Sequence, residues 1–246
     1  MVKPYVAVVV PRAAGRSMPV SSQLPTPPGP DAAPESLAEF AYRRIEEMIV
    51  TRALPPGSMI SENGLAEELK CGRTPVREAL QRLRNEGFVE IHPRRGALVS
   101  SIDVMRQIEL LEVRRSLEDL VVRLAAERAN AAERAEMLRL ADAIVAAAAA
   151  ADQAGYLAAN RSIHEIEARA ARNAVLAKTI GVIHGLSRRF WYSYIEDTGT
   201  FDTGARLHAA TLRAIASGDA AGAAEGAARL LDFLSDLTER ALRRQL

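Results

Sequence analysis

Two groups of side chains in this sequence stand at spacings that chemistry requires. Asn160 and His164 are four residues apart, so on a helix they share one face, and Leu157, Ala168 and Ala171 fall on that face and turn it inward. His208 leads Thr211, Leu212 and Ile215 at i+3, i+4 and i+7, a second inward stripe. An amide oxygen and two imidazoles converging between helices would make a ligand set for one divalent transition metal, zinc or nickel. The same spacing also serves two core histidines satisfied by hydrogen bonds. The second group is Arg73, Thr74, Arg77, Gln81 and Arg84. At about 100° per residue these lie in one polar arc, opposite an apolar arc of Val76, Ala79, Leu80 and Leu83. Guanidinium, hydroxyl and amide groups on one helix face hold phosphates and read base edges in a major groove. The alternative for that helix is a solvated, arginine-rich surface.

The elements around the polar arc decide between these readings. Thr74 is expected to cap the helix, Pro75 to occupy its first position and Gly87 to end it. Upstream, Leu37 to Thr51 has Phe40, Ile45, Met48 and Ile49 at helical spacing, and Pro55-Pro56-Gly57 breaks it. Ser58-Met59-Ile60 is a short extended piece. Ser61 then caps a helix from Glu62 to Lys70 that buries Leu65, Ala66 and Leu69, and Cys71-Gly72 turns into the arginine-rich helix. Helix, helix, turn, helix is the order that lays its last helix in the major groove. Phe88 to Ile91 and Ala97 to Ser100 read as the strands of a hairpin. Its turn carries Arg94, Arg95 and Gly96, suited to a backbone or minor-groove contact as a wing. From Lys70 to Arg95 there are seven basic residues against three glutamates, on a chain of 246 residues with net charge +1. A local basic face on a nearly neutral chain fits sequence-specific, salt-sensitive DNA binding and excludes a non-specific basic coat.

Residues 1–34, rich in Pro, Ser, Gly and Ala, read as a disordered tail, with Met18 a second candidate start. Residues 35–101 form the DNA-binding domain and 102–246 a helical domain. In the latter, alanine is abundant and proline absent. Asp103 caps a long helix ended by Asn130. Further helices are expected over 132–151, 152–172, 174–195, 203–216 and 220–244. The fold class is mainly α: a winged helix-turn-helix followed by an all-α antiparallel bundle whose ligand sites are built on facing helices. Phe190, Trp191, Tyr192, Tyr194 and Phe201 cluster, either as ordinary core or as a pocket wall in which Tyr192 offers a hydroxyl. Arg114 stands four residues before Glu118, the spacing of a helical salt bridge. The single cysteine, Cys71, allows no internal disulfide and fits a reducing cytoplasm, and no apolar run is long enough to span a bilayer.

Pro55-Pro56-Gly57-Ser58, Leu65-Ala66-Glu67, Arg73 to Leu80, Leu83 with Glu86-Gly87, and Arg94-Arg95-Gly96 with Val99 together resemble a GntR-family transcription regulator. The remainder resembles the FCD effector-binding domain of the FadR-type branch. The resemblance implies operator contacts by Arg73, Arg77 and the wing glycine. Lys70-Cys71-Gly72 departs from the family's glycine-valine-serine at a phosphate contact. It further implies a metal held by Asn160, His164, His208 and a last histidine, but that last position is Leu230; His184 lies elsewhere in the pattern. Arg114 matches an arginine that meets an anionic effector. The expected function is a homodimeric regulator of double-stranded operator DNA, controlled by a small carboxylate bound by Arg114, Asn160, His164, His208 and Tyr192. The alternative is a helical metallohydrolase using His164 and His208. It lacks HExxH, a phosphate loop and a nucleophile elbow.

Overall fold

The computed structural model describes residues 35–92, 95–194 and 198–244. The expected tail, Pro93 and Arg94 lie outside the described residues. The N-terminal part runs α1 (Leu37–Val50), β1 (Met59–Ile60), α2 (Glu62–Glu68), α3 (Arg73–Glu86), β2 (Val89–His92) and β3 (Gly96–Val99). Ile45, Ile49, Leu65, Val76, Leu80, Leu83, Phe88 and Val99 form its core. Ser36 caps α1 and Ser61 caps α2, each hydroxyl accepting a backbone N–H three residues on.

The expected start of α3 needs correction. Its N-cap is Gly72, in extended backbone and without a side-chain bond, and Arg73 is the first helical residue. Thr74 is therefore an exposed second position and not the cap. Pro75 is the third, where its missing N–H is still one of the helix's orphan donors and costs nothing. Gly87, at φ 86°, closes the helix in the left-handed conformation as expected.

The extended piece before α2 joins the hairpin, giving an antiparallel sheet in the order β1-β3-β2, with Ile60 opposite Ala97 and Ile91 opposite Ala97 on the other side. Gly96 has φ 102°, and a Cβ there would strike the carbonyl oxygen of Ile60. The wing glycine is thus required by the close passage of β1 as well as by its backbone angle.

The C-terminal part is α4 (Val104–Arg128), α5 (Ala131–Ala149), α6 (Gln153–Ala170), α7 (Ala174–Tyr194), α8 (Thr198–Ser217) and α9 (Ala220–Arg243). Asp103 caps α4, its carboxylate accepting from Met105 N at 2.8 Å. Asn130 belongs to the next helix, where it forms a capping box with Glu133; Ala129 closes α4. α8 starts five residues before the expected Thr203, and its extra turn is anchored by Phe201, packed edge-on against Tyr156 at 4.9 Å. Ile144, Ile163, Ile166, Leu212 and Ile215 centre the main bundle core, and Phe190, Trp191, Leu230 and Leu234 a second one. Among the described residues no helix is long and apolar enough to cross a membrane.

The two parts are fastened through α7. Leu186 packs into the N-terminal core. Gly185 lets the helix come close: a Cβ would lie 3.0 Å from both Glu46 Oε1 and the Phe88 ring.

Candidate DNA-reading face and interior cavity

On α3 the buried arc is Val76, Ala79, Leu80 and Leu83, which leaves Arg73, Thr74, Arg77 and Arg84 exposed and Gln81 half-buried on the opposite side. Helical spacing brings these five together along one stripe. Arg77 is engaged by Glu62 at the start of α2, with Nη2 donating to Oε2 at 2.8 Å and Nε to the same oxygen at 3.1 Å. That hydrogen bond holds the Glu62 carboxyl below its usual range. Glu62 was not singled out from sequence, and it sets the direction of the guanidinium. Arg84 Nη2 donates to its neighbour Asn85 at 3.0 Å. On the far side, Arg82 clamps α3 to α1, bonding Glu39 and Glu86 and lying 3.6 Å over the Tyr42 ring. Arg95 is exposed at the wing, its backbone N–H closing the turn onto His92 O at 3.1 Å.

Inside the bundle, Arg114, Asn160, His164, Tyr192, His208 and Leu230 all line one cavity, with about 40 Å³ open to the centre of a water molecule. α4 brings Arg114, α6 brings Asn160 and His164, α7 brings Tyr192, and α8 and α9 bring His208 and Leu230. Arg188 of α7, not read from the sequence, lines it too.

These groups are wired together. Arg114 Nε donates to Glu118 Oε2 at 2.8 Å, Nη1 to Ser187 Oγ at 3.2 Å, and Nη2 meets His164 Nε2 at 3.2 Å. The i,i+4 pair Arg114–Glu118 is buried, with 2% and 3% of the side chains exposed, so it is no surface salt bridge. A guanidinium only donates, so His164 Nε2 must accept and its proton sits on Nδ1, a buried atom with no partner among the described residues. Asn160 Nδ2 meets His208 Nε2 at 2.9 Å, and His184 Nε2 meets Glu118 Oε2 at 2.9 Å. Burial, reinforced by His184 and Arg114, holds the His164 imidazole well below its usual pKa. Burial and Arg114 bring His208 down to about 3, and burial lowers His184 against the pull of Glu118. All three are neutral at pH 7. Burial and the neighbouring Glu118 push the Glu167 carboxyl well up, while Arg114 and His184 outweigh burial and hold Glu118 low.

Glu118, His164 and His184 place ligand atoms within 4.8 Å of one another. The two rings are stacked, however, with centroids 3.8 Å apart and planes 16° from parallel. A metal ion sits near the plane of each ligating ring, and two stacked planes share no such point. The Arg114 guanidinium joins Glu118 to His164 instead.

At the edge of this network lies the join to the N-terminal part. Glu46 of α1, 2% exposed, accepts from Arg188 Nη2 at 2.5 Å and from Arg161 Nη1 at 2.8 Å. Arg161 follows Asn160 directly, and Arg188 is itself a cavity wall.

The gntR family of bacterial regulatory proteins matches residues 37–99, and the FCD domain matches residues 109–233. An uncharacterized HTH-type transcriptional regulator from the TAR-I ttuE-ttuC' intergenic region of Agrobacterium vitis is 35% identical over 130 residues, 51% of this chain and 75% of the relative. A probable D-xylose utilization operon transcriptional repressor of Paenarthrobacter nicotinovorans is 29% identical over 167 residues, 68% of this chain and 73% of the relative. Among solved structures, E. coli McbR/YncC superposes with a TM-score of 0.73 at 22% identity, covering 85% of this chain and all of that one, a likeness of fold. The chain belongs to the GntR family of transcription regulators, in the branch that joins a winged helix-turn-helix to an FCD domain.

Proposed function

We propose that this regulator binds operator DNA through α3 and the wing, and that a small carboxylate in the bundle cavity sets its operator affinity. The observation that carries this reading is Arg188, which lines the cavity and at the same time bonds Glu46 of the DNA-binding part. The cavity offers two guanidiniums, Arg114 and Arg188, beside neutral imidazoles and the Tyr192 hydroxyl. A carboxylate accepts two parallel N–H bonds from such a group. It also supplies an acceptor for the orphaned His164 Nδ1–H. The room available suits a small acid, and a larger one must part the helices. A carboxylate that takes Arg188 draws it from Glu46, which leaves Arg161 as the remaining bond and loosens the DNA-reading part against the bundle. Operator affinity then changes through the coupling free energy between the two sites.

The residues present do not fit the metal that the family resemblance implies. Only two imidazoles, His164 and His208, face the expected place, and Leu230 is apolar where a third would be. Asn160 turns its amide N–H toward His208, and a fixed guanidinium stands 3.2 Å from His164. In this reading Arg114 supplies the positive charge, and the cavity works without a metal.

A homodimer fits the exposed face of α4. Val113, Leu117, Leu120 and Leu124 recur at i, i+4, i+7 and i+11, with Val113 and Leu120 exposed. A helix apolar on several sides calls for a further partner, and a second copy places two reading heads on an inverted repeat. The half-buried thiol of Cys71 is consistent with a reducing cytoplasm.

A thermal-shift panel of small mono- and dicarboxylates, with amines and neutral sugars alongside, tests the ligand class. The wild type is expected to be stabilised by at least one acid and Arg114→Met by none. Stabilisation by an amine or sugar alone would count against a carboxylate effector.

A further inference from the structure

A second cleft opens between the start of α4 and the C-terminal half of α7, lined by Gly87, Asp103, Arg106, Gln107, Arg189 and Phe190 among others. Arg189 is 3% exposed. It donates to both the carbonyl and the hydroxyl of Ser100, which follows β3, but its Nε is buried with no partner among the described residues. Buried cations are normally paired with an anion, because an isolated charge is costly to desolvate. Among the described residues Arg189 makes no ion pair, and its charged neighbour is another cation, Arg106. Burial and Arg106 together bring the Arg189 guanidinium down to about 10. Arg106 is exposed, lies against Gly87 at the end of α3, and likewise makes no ion pair among the described residues. Asp103 shares the cleft, but one carboxylate oxygen is committed to capping α4 at Met105 N. Two guanidiniums and an orphaned N–H thus stand together at one open cleft.

We propose that Arg106 and Arg189 bind a small oxyanion of the phosphate or sulfate class in this cleft, bridging α4, α7 and the C-terminal end of the recognition helix. About 30 Å³ there is open to the centre of a water molecule, room for two or three waters or a compact oxyanion. The bound anion gives Arg189 its missing acceptor, screens it from Arg106, and stiffens the join at Ser100. The site shares no lining residue with the interior cavity and meets α3 at its C-terminal cap, Gly87.

The test is melting of the full chain in inorganic phosphate, sulfate, acetate or chloride at matched ionic strength. Phosphate and sulfate are expected to raise the midpoint saturably, by about 3 °C at ten times the dissociation constant, relative to chloride. Arg106→Ala is expected to lose that rise while melting in chloride at or above the wild-type midpoint, because a like charge has gone. Arg189→Lys removes the forked donor and should lose the rise as well. Arg73→Ala, on the DNA-reading face, should keep it. The proposal is overturned if phosphate and sulfate act no more strongly than chloride. It is equally overturned if the rise survives Arg106→Ala, or if Arg73→Ala abolishes it. Acetate separates the two sites: a rise retained in Arg106→Ala and lost in Arg114→Met belongs to the interior cavity.

Discussion

Arg188 of α7 and Glu46 of α1 meet at 2.5 Å, and this one ion pair touches both the interior cavity and the DNA-binding part. Both partners are buried, and Arg161 shares the carboxylate. Glu46→Gln removes the charge that two guanidiniums face. A urea titration is expected to show a loss of about 3 kcal/mol, the scale of breaking a buried pair. In the same variant, operator affinity measured with and without effector should become nearly equal. A full effector response in Glu46→Gln would show that the signal bypasses this pair.

Arg77→Ala should abolish sequence-specific binding in a gel-shift titration while leaving the urea midpoint close to that of the wild type, because its ion pair with Glu62 is exposed. Arg95→Ala should weaken all sequences alike and flatten the salt dependence by roughly one charge. Equal losses from both substitutions on specific and random DNA would argue against α3 as the reading helix.

Stability should fall as the solution is acidified below about pH 6.5. His164, His184 and His208 are all depressed in the folded protein, His208 to about 3, so the unfolded chain takes up their protons at higher pH than the fold does. Their contribution is complete above the unfolded value of 6.5 and is lost as pH falls toward the folded values. Glu167 acts oppositely, since its raised pKa keeps a proton that the unfolded chain releases above 4.5. Between pH 4.5 and 6.5 the depressed imidazoles, His164 and His208 foremost, favour the unfolded chain against the one Glu167 proton that favours the fold. Unfolding free energies from urea titrations at pH 5, 6 and 7 should rise in that order, by roughly 1–3 kcal/mol per pH unit at the steepest. A flat profile would mean that these imidazoles are already hydrated or charged in the fold.

Leu230→His tests the cavity's geometry. It places a third imidazole beside Asn160, His164 and His208, and zinc or nickel affinity by calorimetry should rise at least about tenfold. Adding His164→Ala should reverse the gain. No gain in Leu230→His would mean that the Arg114 guanidinium and the Asn160 amide, rather than the missing imidazole, keep a metal out.

Much of this was legible before the structure, for definable reasons. The buried and exposed arcs of α3, the hairpin and the inward faces at Asn160, His164 and His208 are local patterns with short periods, and the structure places those residues as their spacing indicates. Thr74 was misplaced as a cap because Gly72, with no side chain to bond, can also begin a helix. Glu46, Arg161, Arg188 and Arg189 were invisible because a charged residue reads as solvated whatever it meets in space. A weak signal existed. Glu46 lies between Tyr42 and Val50, and Arg188 between His184 and Tyr192, each four residues away on a buried or half-buried arc. That both arcs face one another is a fact of tertiary packing, which no local pattern contains.

The most direct test of the account is the operator affinity of the full chain, by fluorescence anisotropy at fixed salt, across a titration of the carboxylate that stabilises it. The wild type should shift by roughly 5- to 150-fold, the range of a coupling energy of about 1–3 kcal/mol. Arg188→Gln should bind operator with no such shift. An unchanged wild-type affinity under saturating carboxylate, or an undiminished shift in Arg188→Gln, would contradict it.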